Sequence, residues 1–200
     1  MENIIGLIMV GGKRFTGKDF ICKFSEKFLS GKLKINVQFI HATDELKKDF
    51  AEFANLNYEK LIQDRQYKEK HRENMTNFAN EQISKFGNCY YNMLLKKNVL
   101  DKTNVPTLYI IDFRYLFELD YYLSLNLYLI SIKIEVNKLI KKERGWIFNE
   151  TIDTNNSEID IDKFDKWDLI FNNDVDGLSF IEKFLLDKLV PKLEFLINDK

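Results

Sequence analysis

Two rhythms of apolar residues alternate along this chain of 200 residues. Short runs at 4–10, 35–40, 107–112, 127–134 and 167–171 have the length and side chains of strands. Between them, 18–30, 44–55, 66–98, 114–124, 136–143 and 178–197 repeat apolar residues at helical spacing. Strand alternating with helix predicts an α/β fold, a five-stranded parallel sheet flanked by helices. Segments 4–10 and 107–111 carry almost no polar residue, as central strands covered on both faces do. The long charged stretch 66–98 has no strand in it and predicts a helical insertion over the strand ends, where ligands bind in such sheets. Residues 144–165 are polar and acidic with little periodicity, which reads as a flexible lid.

Half of the eight glycines lie in the first 17 residues. The last two frame Gly12-Lys-Arg-Phe-Thr-Gly17-Lys18-Asp19, between the first predicted strand and the first predicted helix. Strand, glycine loop, lysine and helix is the context in which G-x-x-x-x-G-K cradles phosphate. The loop amides and the helix N-terminus point at one anion, and Lys18 reaches the terminal phosphates of a nucleoside triphosphate. Asp19 stands where such loops usually place Ser or Thr on Mg²⁺, and a carboxylate can hold that ion directly or through water. Lys13, Arg14 and Lys18 would crowd a loop that bound no anion.

A net charge of −1 supplies no field for nucleic acid, and no basic-aromatic stripe is present. The apolar stretch 121–134 is interrupted by Ser124, Asn126 and Ser131 and is too short to span a bilayer. Two cysteines, Cys22 and Cys89, without a leader imply a reducing, cytoplasmic setting and no disulfide framework. With the separated His41 and His71 they are too few for a thiolate-imidazole metal site. Cys22 is expected in the core, His41 in a structural role and His71 on an exposed helical face. Neither nucleic acid nor membrane is expected as a partner, and the chain reads as a monomer acting on a small-molecule phosphate monoester.

Further cations sit at informative spacings. Arg65, Lys68 and Arg72 share one helical face, suited to gripping a phosphorylated acceptor or else balanced in solvent by Glu69 and Glu73. Asp112 and Arg114 end the third strand, where catalytic groups of open sheets collect, although Asp112 could instead cap the next helix. Lys141 and Lys142 close a helix whose C-terminus favours cations in any case. Arg144, before Gly145-Trp146, is suited to closing over a transferring phosphoryl group. Asn172 to Gly177 could read a purine edge or form a capped turn.

Taken together, these stretches resemble the animal-type phosphomevalonate kinases, of nucleoside-monophosphate-kinase-like P-loop fold. The resemblance is carried by residues 12–20, 56–62 and 67–75, Asp112-Phe-Arg114, Arg144-Gly-Trp-Ile-Phe148, Ser157-Glu158 and residues 167–173. It implies ATP-dependent phosphorylation of a phosphate monoester, mevalonate 5-phosphate. Gly12, Lys13, Arg14, Thr16, Gly17, Lys18 and Asn173 would hold ATP, Asp19 would place Mg²⁺, and Arg144 would close from the lid. Lys18, Arg14, Asp19 and Arg144 would carry the catalysis, while Lys47, Lys68, Arg72 and Arg114 would face the acceptor. The implied layout is a single kinase domain with core 1–60, 99–143 and 166–200, an acceptor-binding insertion at about 61–98 and a mobile lid at about 144–165. The family pattern has a further arginine where Tyr115 stands, and others near Ile83, Asn92 and Lys141. Viral and phage deoxynucleoside monophosphate kinases look similar over the same loop and would stack a base on Tyr67, Phe78 or Tyr90. A degenerate nucleotide-binding module is the remaining alternative.

Overall fold

A computed structural model describes residues 3–175 and 177–198, with Arg65 and Asn198 described without their side chains. The chain divides into two compact units, residues 1–40 with 103–200, and residues 41–102.

The first unit is built on the sheet. Strands β1 (Ile4–Gly11), β2 (Asn36–His41), β3 (Thr107–Phe113), β4 (Leu129–Glu135) and β5 (Leu169–Asn172) lie in the order β2-β3-β1-β4-β5. The pairings of β1 with β3, β1 with β4 and β4 with β5 are parallel. β3 is buried along its whole length and β1 nearly so, as their unbroken apolar runs require. The register sets Gly11 beside Phe113 and Lys133, so the carboxyl ends of the central strands finish level. Helix α1 (Lys18–Leu33) lays Ile21, Cys22 and Leu29 onto Ile8, Val10, Ile110 and Ile132.

The expected last helix is not uniform. It runs as α10 (Leu178–Phe184), a π turn Leu185–Leu189 and α11 (Val190–Asn198). Pro191 has no N–H to offer the preceding turn, which the wider π turn accommodates while Leu185 and Leu189 stay in the core. At the end of β1, a Cβ on Gly11 would lie 2.5 Å from Trp167 Cη2, so backbone and indole pack in direct contact. Trp167 in turn stacks on Phe113 with ring centroids 5.8 Å apart.

The second unit holds α2 (Asp44–Phe53), α3 (Tyr58–Gln63), α4 (Arg65–Phe86) and α5 (Tyr90–Asn98). Asn57 and Asp64 cap α3 and α4 through their side chains. The 66–98 stretch is two helices because Gly87, at φ +92°, ends α4. Phe50 and Ala51 of α2 and Leu61 of α3 pack with Phe78 of α4, which is why residues 41–60 group with these helices rather than with the sheet.

The stretch 144–165 follows α6 (Leu116–Leu123) and α7 (Lys138–Glu143). It contains α8 (Glu150–Asp153), α9 (Asn156–Ile159) and a 3-10 turn Asp160–Lys163, so it is structured rather than a featureless loop. Asn149 and Asn155 cap its two helices. Four-residue helices are too short for periodicity to register in sequence. No helix among the described residues is long and apolar enough to cross a membrane.

Phe50 is 2% exposed, and truncating it to alanine should cost about 3–5 kcal/mol of stability. Urea denaturation followed by amide hydrogen exchange would check this. Protection should fall in residues 41–102 more than in β1 and β3.

Candidate active site

The glycine loop connects β1 to α1 and owes its shape to two residues with left-handed backbone, Phe15 (φ 64°) and Gly17 (φ 84°). A side chain on Gly17 would also come within 2.6 Å of Asn173 Nδ2. Lys18 opens α1 and is 3% exposed. Its Nζ lies 3.3 Å from Asp112 Oδ2 and 3.3 Å from the Phe113 carbonyl oxygen. The ammonium is thus held where a helix N-terminus and a row of loop amides favour an anion. Asp112 is this lysine's counter-ion and not a helix cap; the N-cap of α6 (Leu116–Leu123) is Tyr115, and Glu118, three residues on, reaches back to accept from the backbone N–H of Arg114 and Tyr115 at 2.7 and 2.8 Å.

Thr16 turns inward. Its hydroxyl donates to the Lys13 carbonyl at 2.9 Å, and its own carbonyl accepts from Asn173 Nδ2 at 2.8 Å. Asn173 joins three stretches, because its N–H donates to Glu135 O and its carbonyl accepts from Arg144 Nη2. Its side chain is therefore engaged by the loop itself. Asp176 lies outside the described residues. Beside the loop runs an open groove of about 410 Å³. Lys13, Thr16, Glu135, Asn137, Lys141 and Asp174 line it, a shape and position suited to a nucleoside.

Asp19 is exposed in the first turn of α1, and a carboxylate oxygen of it lies within 4.8 Å of one on Asp112. Hard oxygen ligands, one of them open to solvent, fit Mg²⁺, which keeps several waters and takes one or two carboxylates.

The stretch 144–165 meets the loop through carboxylates. Arg14 is 8% exposed, and its Nε and Nη2 each sit 2.8 Å from an oxygen of Asp153. Nη2 also donates to the Ile147 carbonyl, so the guanidinium is bonded to residues 147–153. The Arg14 N–H donates to Glu158 Oε2 at 2.7 Å, and Arg114 Nη1 donates to Glu158 Oε1. Leu116 N–H donates to Asp160 at 2.7 Å, and Lys13 pairs with Asp162 near the surface. Burial pushes the Asp153 carboxyl up, but hydrogen bonds from Arg14, the Asn149 amide and Trp146 outweigh it and hold the group below its ordinary value. Burial lowers Lys141, half-buried over the Trp146 ring; Glu158 and Asp153 oppose the shift, and Lys13 and Arg14 add to it.

In the second unit, Lys47 is 8% exposed and pairs with Asp44 at 2.9 Å. Arg72 is held by Glu69 through two bonds of 2.6 and 2.9 Å, and Lys68 is half-buried. The balanced face expected from Glu69 is thus what Arg72 adopts; the Arg65 side chain lies outside the described residues. Of the aromatics suited to stacking a base, Phe78 is buried in the core, Tyr67 packs on His71 and Tyr90 stacks on Phe86. Contact with Tyr67 leaves His71 half-buried rather than exposed. Reading the sequence singled out neither Asp153 nor Asp162. Their only sequence signal was an acidic stretch in a chain whose loop is cationic.

Replacing Asp153 by alanine should strand the buried Arg14 and cost about 3–5 kcal/mol. A carboxyl depressed in the folded state stabilises fully above its unfolded value of 3.8 and loses that contribution as pH falls through the lower folded value. Thermal melts should therefore show a constant gap between wild type and Asp153→Ala near neutral pH. That gap should narrow as pH falls below 3.8.

Residues 10–127 match the family described as phosphomevalonate kinase. A Drosophila melanogaster protein named phosphomevalonate kinase is 25% identical over 187 residues, which cover 92% of this chain and 96% of that one. Among solved structures, TT1252 from Thermus thermophilus has a TM-score of 0.55 at 14% identity, covering 92% of this chain and 96% of its own, a likeness of fold. Shikimate kinase from Aquifex aeolicus has a TM-score of 0.48 at 14% identity, covering 94% and 98%. The matched stretch spans more than half of the sequence and contains the glycine loop, the buried lysine with its Asp112 partner, and Arg114. On that extent of match the chain belongs to the phosphomevalonate kinase family.

Proposed function

We infer that this protein transfers the γ-phosphoryl group of ATP to the phosphate of mevalonate 5-phosphate, releasing ADP and forming diphosphomevalonate. The observation that carries the reading is Lys18, a buried ammonium at the head of α1 in a phosphate-binding loop, inside a stretch matched to this family.

An acceptor phosphate oxygen attacks the γ-phosphorus as the bond from that phosphorus to the β-bridging oxygen breaks, and the electron pair leaves on ADP. The acceptor is already an anion at neutral pH, so positioning and charge neutralisation carry most of the catalysis. The loop amides and Lys18 hold the transferred group. Asp19, with Asp112 beside it, would hold Mg²⁺, which neutralises the β- and γ-oxygens when bound.

Arg144 suits the closing role because its Nη1 comes within 3.9 Å of where a Cβ on Gly17 would stand. The guanidinium of Arg14 suits another task, latching the lid through Asp153. Arg114 is assigned to the acceptor phosphate, and so are Lys47, Lys68 and Arg72 of the second unit. Asp44 and Glu69 act as placeholder anions for Lys47 and Arg72.

Coupled ADP release with ATP and Mg²⁺ tests the reading. Turnover with mevalonate 5-phosphate and not with nucleoside or deoxynucleoside monophosphates is expected, and the reverse pattern would sink it. Lys18→Met should lower kcat by roughly a hundred- to a thousandfold, measured below a melting temperature that itself falls because buried Asp112 loses its partner. Arg144→Ala should reduce kcat more than it raises either KM. An unchanged kcat would remove Arg144 from the reaction.

A further inference from the structure

Glu158 is the least exposed carboxylate among the described residues, at 3%. A carboxylate so buried is costly unless its oxygens are met by donors of good geometry. They are met from two separate places. Oε2 accepts from the Arg14 N–H of the glycine loop, and Oε1 accepts from Arg114 Nη1 beyond β3. One side chain, brought in on α9, therefore ties the loop that faces ATP to an arginine assigned to the acceptor.

We propose that Glu158 is a positioning residue for phosphoryl transfer, orienting the Arg114 guanidinium toward the acceptor phosphate only while the lid is seated on the glycine loop. This rests on the kinase reading given above.

The backbone around Arg114 is already held without Glu158. From α6, Glu118 accepts from the N–H groups of both Arg114 and Tyr115. What Glu118 leaves unset is the direction of the guanidinium, and that is what Glu158 determines. Its neighbours hold the same turn in register. A hydrogen bond to Ser157 partly offsets the rise that burial imposes on the Tyr115 hydroxyl, and Asp160 accepts from Leu116 N–H. Contact with one carboxylate at Nη1 leaves other N–H groups of the guanidinium fork to grip a phosphate. A charge-assisted bond of this kind fixes orientation as well as charge.

Steady-state kinetics of a double-mutant cycle, with wild type, Glu158→Gln, Arg114→Gln and the double variant, tests the proposal. An amide can still accept from the Arg14 N–H, but its NH₂ would face the donor of Arg114 and release it. Glu158→Gln should raise the KM for mevalonate 5-phosphate at least about tenfold, leave the KM for ATP within about twofold, and add nothing in the Arg114→Gln background. Glu158→Asp keeps the charge but is one methylene too short to bridge both partners, and should fall on the Gln side.

Additive effects, or equal rises in both KM values, would assign Glu158 to general stability and overturn the proposal. So would a Gln variant that does not fold. A Gln variant with tighter ATP binding and faster turnover would instead make Glu158 a stand-in anion that substrate displaces, which also overturns it. An inactive wild type would sink the kinase reading, whereas an active wild type with additive variants sinks only the role of Glu158.

Discussion

Lys13, Arg14, Lys18 and Arg114 gather around one glycine loop at the head of a helix, and such a cluster must be neutralised before any substrate arrives. Each has a carboxylate partner: Asp162, Asp153, Asp112 and Glu158 respectively. Three of those four carboxylates come from a single short stretch after α7. The stretch 144–165 is therefore part of the loop's electrostatics. The near-surface pair Lys13–Asp162 is worth little, since solvent screens it, while Arg14–Asp153 is buried on both sides.

The same economy holds the loop's shape. Asn173 reaches back to the Thr16 carbonyl, binds β4 through its own N–H, and offers its carbonyl to Arg144. Loop, strand end and lid arginine are thereby joined through one residue. Gly17 is required twice over, by its left-handed backbone and by the closeness of the Asn173 amide. Gly11 permits the Trp167 indole to lie on the end of β1, where it stacks with Phe113.

Much of this was legible from residue order. The five strands fall within a few residues of the apolar runs, and β1 and β3 are central, as their lack of polar positions implied. The glycine loop lies between strand and helix, where the motif required it to be. The pattern failed where a single residue overrode it. Gly87 divides the long helix, Pro191 brings in a π turn, and the helices of 144–165 are held by asparagine caps rather than by an apolar face.

The sequence by itself determined the fold class, the glycine loop with Lys18 behind it, the acidic stretch 144–165 and the family resemblance, because each rests on neighbours in the chain. Hydrophobic period, glycine placement and helix capping are local, and local order is what a sequence displays. Only the tertiary structure decided that Asp112 answers Lys18, that the Arg14 guanidinium turns to Asp153, and that Glu158 joins Arg14 to Arg114. Those partners lie 94, 139 and 144 residues apart for Lys18–Asp112, Arg14–Asp153 and Arg14–Glu158. Which carboxylate meets which cation depends on how strands order and where a lid comes to rest, and no spacing along the chain encodes that.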